Sequence, residues 1–154
     1  MVDPIPQGLE GHVIPYLMID GASDAIAFYQ RAFDAEELFR MPMPDGSVAH
    51  AEIKVGGATI YLADAPHDMP GDAGSPRRYG GTTVLIHRYV TDVDAVVQKA
   101  EAAGAKVLRP PENQFYGDRA AVVEDPFGHQ WSLHTHVRDV SPEEMAEAMK
   151  QTDT

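Results

Sequence analysis

The chain contains no cysteine. That removes disulfides, thiolate metal ligands and cysteine nucleophiles, so any metal ion would rest on His, Asp or Glu. There is no run of about 18 uncharged apolar residues, and the start, from Met1 to Gly11, lacks the basic lead and apolar centre of a secretory signal. The expectation is a cytoplasmic protein with no membrane partner. Positive charge is also scarce: 12 Lys and Arg stand against 24 Asp and Glu, a formal charge of −12 over 154 residues. Such a field repels phosphate backbones and anionic surfaces, and the only adjacent basic pair, Arg77-Arg78, reads as loop solvation, so no nucleic-acid partner is expected. The phosphate loop GxxxxGK[ST], a GxGxxG after a strand and the GxSxG nucleophile elbow are all missing, which disfavours kinase, dinucleotide-binding and hydrolase architectures.

What remains is enough apolar material, 44% of the residues, for the core of one domain of this size. His12 to Ile19 reads as a strand, and Ala22, Ala25, Ile26, Tyr29 and Phe33 then recur at helical spacing. Strands over Ala35 to Met43, Ser47 to Val55 and Ala58 to Asp64 follow, separated by the turn signals Pro44-Asp45-Gly46 and Gly56-Gly57. A Pro- and Gly-rich linker, 65–81, holds His67 and Asp68 and is a place for a lid.

Beyond the linker the order repeats. Thr82 to Val90 reads as a strand, and Val93, Val96, Val97 and Ala100 as one helix face, with Asp92 as N-cap and Gly104 at the C-terminal stop. Strands at Lys106 to Pro110, Arg119 to Glu124 and His129 to His136 complete it, the last two joined by the turn Asp125-Pro126-Phe127-Gly128. Ser141-Pro142-Glu143-Glu144 announces a C-terminal helix over about 141–150, its methionines suited to packing or a dimer contact. The fold class expected is α+β: two β-α-β-β-β modules, about 12–64 and 82–136, in a single domain spanning 1–154.

Several local motifs are specific when taken together: Gly21-Ala22, Ala25 to Tyr29, Pro44-Asp45-Gly46, His50-Ala51-Glu52, Tyr116-Gly117-Asp118-Arg119, and Asp125-Pro126-Phe127-Gly128-His129-Gln130-Trp131. In this order they resemble the PhnB-like branch of the vicinal oxygen chelate superfamily, which includes glyoxalases, bleomycin-resistance proteins and extradiol dioxygenases. The resemblance implies sheets that curl around a cavity, a small-molecule ligand and a homodimer. It also implies that metal-using members draw four ligands from the first and last strand of each module. By alignment on the quoted motifs those positions fall at Ile14, Tyr61, Leu85 and Ser132. Isoleucine and leucine offer no lone pair, so the usual chelate is missing and no cofactor is expected. Residues two apart on a strand share a face, which leaves an alternative: one divalent ion held by displaced ligands His12, His87 and His134.

His50 and Glu52 share a strand face and suit general acid-base work, making them the catalytic candidates. In the Tyr116 to Arg119 motif, Asp118 and Arg119 are expected to pair and fix the loop, or Arg119 to anchor an anionic ligand beside Tyr116. The ligand-binding candidates are thus Tyr61, His87, Tyr116, Arg119, Ser132 and His134, while Trp131 and Leu133, alternating with Ser132 and His134, are assigned to the core. Three functions stand open: a binding protein or acid-base enzyme with a metal-free cavity; a metal-dependent lyase, isomerase or dioxygenase with displaced histidines; and a drug-sequestering resistance protein whose acidic surface draws cationic compounds.

Overall fold

A computed structural model describes residues 3–66 and 74–152; His67 and Asp68 of the linker lie outside the described residues. The first module runs β1 (Tyr16–Ile19), α1 (Ala22–Phe33), β2 (Glu36–Pro42), β3 (Val48–Val55) and β4 (Ala58–Asp64). A short helix α2 (Pro76–Tyr79) precedes the second: β5 (Leu85–Tyr89), α3 (Val93–Ala103), β6 (Lys106–Asn113), β7 (Asp118–Glu124) and β8 (Gln130–His136). Helix α4 (Pro142–Thr152) ends the described chain. Each module forms one mixed four-stranded sheet, in the orders β1-β4-β3-β2 and β5-β8-β7-β6. The first strand of each runs parallel to the last and the other pairs are antiparallel. This is the α+β architecture of two β-α-β-β-β units that the element order predicts.

Local chemistry explains the boundaries. Asp92 caps α3 by accepting from the Ala95 amide, and Gly104 ends it at φ 115, where a side chain would be strained. Ser141 and Glu144 form a reciprocal capping box at the start of α4. The last strand of each module also steadies its own helix: Asp64 accepts from the Gly21 and Ala22 amides, and the Thr135 hydroxyl accepts from the Val93 amide.

Three strands differ from expectation. β5 starts at Leu85, not Thr82, where its pairing with β8 begins opposite Gln130. β1 starts at Tyr16, not His12, because its pairing with β4 begins at Tyr16 opposite Tyr61 and Pro15 has no N–H to extend it. β6 continues through Pro110 and Pro111 to Asn113; it is an edge strand, where a proline costs no ladder bond on its free side.

Both helices pack on the same side of their sheets, and their apolar faces meet. Phe28, Tyr29 and Phe33 of α1 join Trp131 and Phe127 of the second module in one buried cluster, with the Phe33 and Trp131 rings 4.5 Å apart. Trp131 and Leu133 are buried as expected. The opposite face of each sheet is therefore left for other work.

Candidate functional site

Strand alternation decides what that free face carries. In the second sheet, Trp131 and Leu133 turn to the core while Ser132 and His134 turn away from it, beside Ala120 and Val122 of β7. On the other side of β8, His87 of β5 stands opposite Ser132, and Tyr89 opposite His134. His87, Ser132, His134, Ala120 and Val122, with Tyr116, Gln114, Glu112 and Arg109, line a cavity of about 450 Å³, and Tyr89 stands outside this lining. Ser132 and His134 are buried. The His87 and His134 rings lie 4.3 Å apart, and Tyr116 stacks near-parallel to His134 at 6.3 Å.

Asp118, at the start of β7, organises this end of the sheet. Its Oδ2 accepts from the Tyr89 hydroxyl at 2.8 Å and from His134 Nδ1 at 3.0 Å, and its Oδ1 accepts from His136 Nδ1 at 2.9 Å. Burial pushes its carboxyl up, but the hydrogen bonds from His136, His134 and Tyr89 outweigh this and hold it below the ordinary range. His134 Nε2 in turn lies 3.0 Å from Ser132 Oγ. His87 is lowered as well, by partial desolvation and then by the nearby His134, which favours the neutral ring.

A second polar group occupies the corresponding face of the first sheet. The Tyr16 hydroxyl meets His50 Nδ1 at 2.8 Å, and His50 Nε2 is 3.4 Å from Glu52. Tyr61 packs edge-on against His50 with ring centres 4.9 Å apart. His50, Glu52 and Tyr61 are thus brought together, but away from the cavity that holds His87, Tyr116, Ser132 and His134.

Arg119 is not part of either group. It makes a bidentate pair with Asp94 in the first turn of α3, at 2.6 and 2.7 Å, and reaches Asn113 at 3.3 Å. The expected Asp118–Arg119 pairing fails because consecutive strand residues point to opposite faces, and Arg119 points to the helix side. The roles of Asp118, Tyr89, His136 and Arg109 were missed in the sequence. A signal for Asp118 existed: stepping outward strand by strand from the Asp125 to Gly128 turn puts Ala120 against His134 and Asp118 against His136.

Backbone pairing also corrects the chelate positions. The β1 neighbour of Tyr61 is Tyr16, not Ile14, and the β5 neighbour of Ser132 is His87, not Leu85. Two tyrosines, a serine and one histidine make a poor donor set for a divalent ion. The displaced set is not assembled either, since His12 is exposed and lies before β1, and among the described residues no group of three or more His, Asp or Glu is placed to hold a metal.

Residues 11–133 match the glyoxalase/bleomycin resistance protein/dioxygenase superfamily. The chain belongs to this superfamily. Among relatives, the Mycobacterium tuberculosis (strain H37Rv) protein Rv0887c is 47% identical over 148 residues, covering 96% of this chain and 87% of its own length. Among solved structures, TioX from Micromonospora sp. ML1 superposes with a TM-score of 0.66 at 26% identity, covering 82% of this chain and 99% of that one. The fosfomycin resistance protein FosX from Listeria monocytogenes shares the fold, with a TM-score of 0.62 at 19% identity over 87% of this chain and 96% of that one. The superfamily hosts more than one chemistry on one fold, so function rests on the site.

Proposed function

We propose that the protein binds a small organic molecule, carrying a carbonyl or carboxylate oxygen, in the cavity of its second module and without a metal ion. The observation that carries this is the cavity wall itself: His87, His134, Ser132 and Tyr116 converge on one space beside Arg109 and Gln114, a small set of polar groups of the kind that orients a ligand. Arg109, Gln114 and Tyr116 supply donors to the ligand oxygen, and the small Ala120 leaves room under it. Within the superfamily we assign the chain to the PhnB-like branch, on its Tyr116 to Arg119 and Asp125 to Trp131 motifs.

The test is a library of small aromatic and aliphatic carboxylates and ketones screened by ligand-observed NMR. Hits should lose binding in His87→Ala and in His134→Ala and keep it in Lys150→Ala, on the exposed face of α4. Hits that persist in both cavity variants would overturn the assignment.

A homodimer completes the reading. The free face of the first sheet exposes Tyr16, Phe39 and Met41, and that of the second exposes Leu85 and Tyr89, close to half of each side chain or more. An apolar surface of this kind, broken by the polar His50 and Glu52, resembles an interface more than a solvated face. In the proposed dimer the first sheet of one copy covers the open side of the cavity in the other.

A further inference from the structure

A line of hydrogen bonds runs from Asp118 through His134 to Ser132, and its buried end fixes the direction of each proton along it. Asp118 is 4% exposed and receives Tyr89, His134 and His136. An ionised carboxylate only accepts, so His134 carries its hydrogen on Nδ1, and the neutral ring keeps its lone pair on Nε2. Ser132 Oγ lies 3.0 Å from that nitrogen, which makes the serine hydroxyl the donor and His134 the acceptor.

We propose that Ser132 is a nucleophile toward small activated esters bound in this cavity, with His134 as its general base and Asp118 as the positioning residue that holds the productive tautomer. The proposal rests on the ligand cavity assigned above. All three residues come from the β7-β8 hairpin, where strand pairing sets their separations. Ala120, the partner of His134 across the hairpin, is small enough to leave the imidazole edge open, and His87 stands across from Ser132 on β5. Nucleophile, base and orienting acid are therefore in hydrogen-bond sequence, the arrangement that activates a hydroxyl.

Ser132 Oγ bonds to the ester carbonyl carbon as its proton passes to His134 Nε2. The carbonyl oxygen becomes an alkoxide, for which Arg109 and Gln114 on the cavity wall are the available donors. Collapse breaks the bond to the leaving alcohol, which departs with the proton from His134. A water that gives a proton to the same nitrogen attacks the acyl-serine, the acid leaves, and Ser132 recovers the proton.

p-Nitrophenyl acetate is the probe. The native protein should show one acetyl group on the peptide containing Ser132, and release of p-nitrophenol should fall by roughly 100-fold or more in Ser132→Ala and His134→Gln. Asp118→Asn should slow release similarly and shift the His134 ring toward the Nε2–H tautomer in 15N NMR, a change that a merely structural role would not produce. Melting curves and an unchanged circular dichroism spectrum establish that Ser132→Ala is folded. No acetyl-Ser132 in the native protein, or release unchanged in Ser132→Ala, overturns the nucleophile. If the hits still bind, the cavity assignment survives that result; if neither binding nor acylation occurs, both fall.

Discussion

The Tyr29 hydroxyl, on the helix of the first module, donates to Asp125 Oδ2 in the last turn of the second, 2.7 Å away and fully buried. The same oxygen accepts from Trp131 Nε1, and Oδ1 accepts from the amides of Phe127 and His129. Burial, then the charge and hydrogen bond of Asp125, push the tyrosine well above its ordinary pKa, so it remains a donor. Tyr29→Phe keeps the ring against Trp131 and removes one bond to a charged acceptor, which should cost about 1.5 to 3 kcal/mol in a urea melt. Asp125→Ala strands four donors and should cost more. Equal losses in the two variants would show that Asp125 is not the anchor of this junction.

Gly117 offers a second test of stability, at the edge of the site. Its φ is +99, and a Cβ there would collide with the carbonyl oxygen of Arg138 and crowd Val140. Its own carbonyl takes the amides of Val137 and Arg138, tying the loop before β7 to the chain after β8. Gly117→Ala should destabilise by roughly 2 to 4 kcal/mol, from left-handed backbone strain together with overpacking. Since Gly117 lies between Tyr116 and Asp118, fragment binding should weaken with it. Gly46→Ala, also at positive φ but in open space, is the control and should cost only the backbone strain.

The repeat, the helix caps and the turn before β8 were legible because each is a local signal: period, capping residue, turn dipeptide. β4 runs from Ala58 to Asp64 as the pattern indicates. Limits that depend on a neighbour were not. Pro110 reads as a strand stop until β6 is known to be an edge, and His12 reads as strand until β4 is known to meet the chain only from Tyr16. The site divides the same way. His87, Ser132 and His134 were legible from the strand positions that the family resemblance implies together with alternation, whereas the Asp94 that captures Arg119 is 25 residues away on a helix, and nothing in the local wording distinguishes it from a solvated carboxylate.

The three histidines around Asp118 give a pH signature. His136 is raised, first by its bond to Asp118 and then by Asp139, while His87 is lowered by desolvation and then by His134. An NMR titration should place His87 below, and His136 above, the free value near 6.5. The signs for stability follow from proton linkage. The raised His136 stabilises below about pH 6.5 and loses this as pH rises through its folded pKa. The lowered His87 and the lowered Asp118 each stabilise above their unfolded values, near 6.5 and 3.9, and lose this as pH falls through their folded pKa values. Asp118→Asn removes the carboxylate that accepts from His134 and His136 and should bring His136 down toward the free value. A His136 titration unmoved by this variant would contradict the assignment of Asp118 as its main partner.

Phe39 and Met41 pair across β2 and β3 with Glu52 and His50 and share their face, so a new charge here meets an existing one. If this face covers the cavity of a second copy, Phe39→Glu places a carboxylate beside Glu52 in a contact that must exclude water over about 1,200 to 2,000 Å² to be stable. Sedimentation should show the native chain as a dimer and the variant as a monomer. The melting temperature of the native protein should rise with concentration, as mass action requires of a dimer, and that of the variant should not. Phe39 is 47% exposed in the single chain, so its replacement should change monomer stability by only about 0.5 kcal/mol. Carboxylate hits should bind the variant more weakly, because each cavity loses the surface that closes it. A Phe39→Glu protein that remains dimeric would move the interface away from this face.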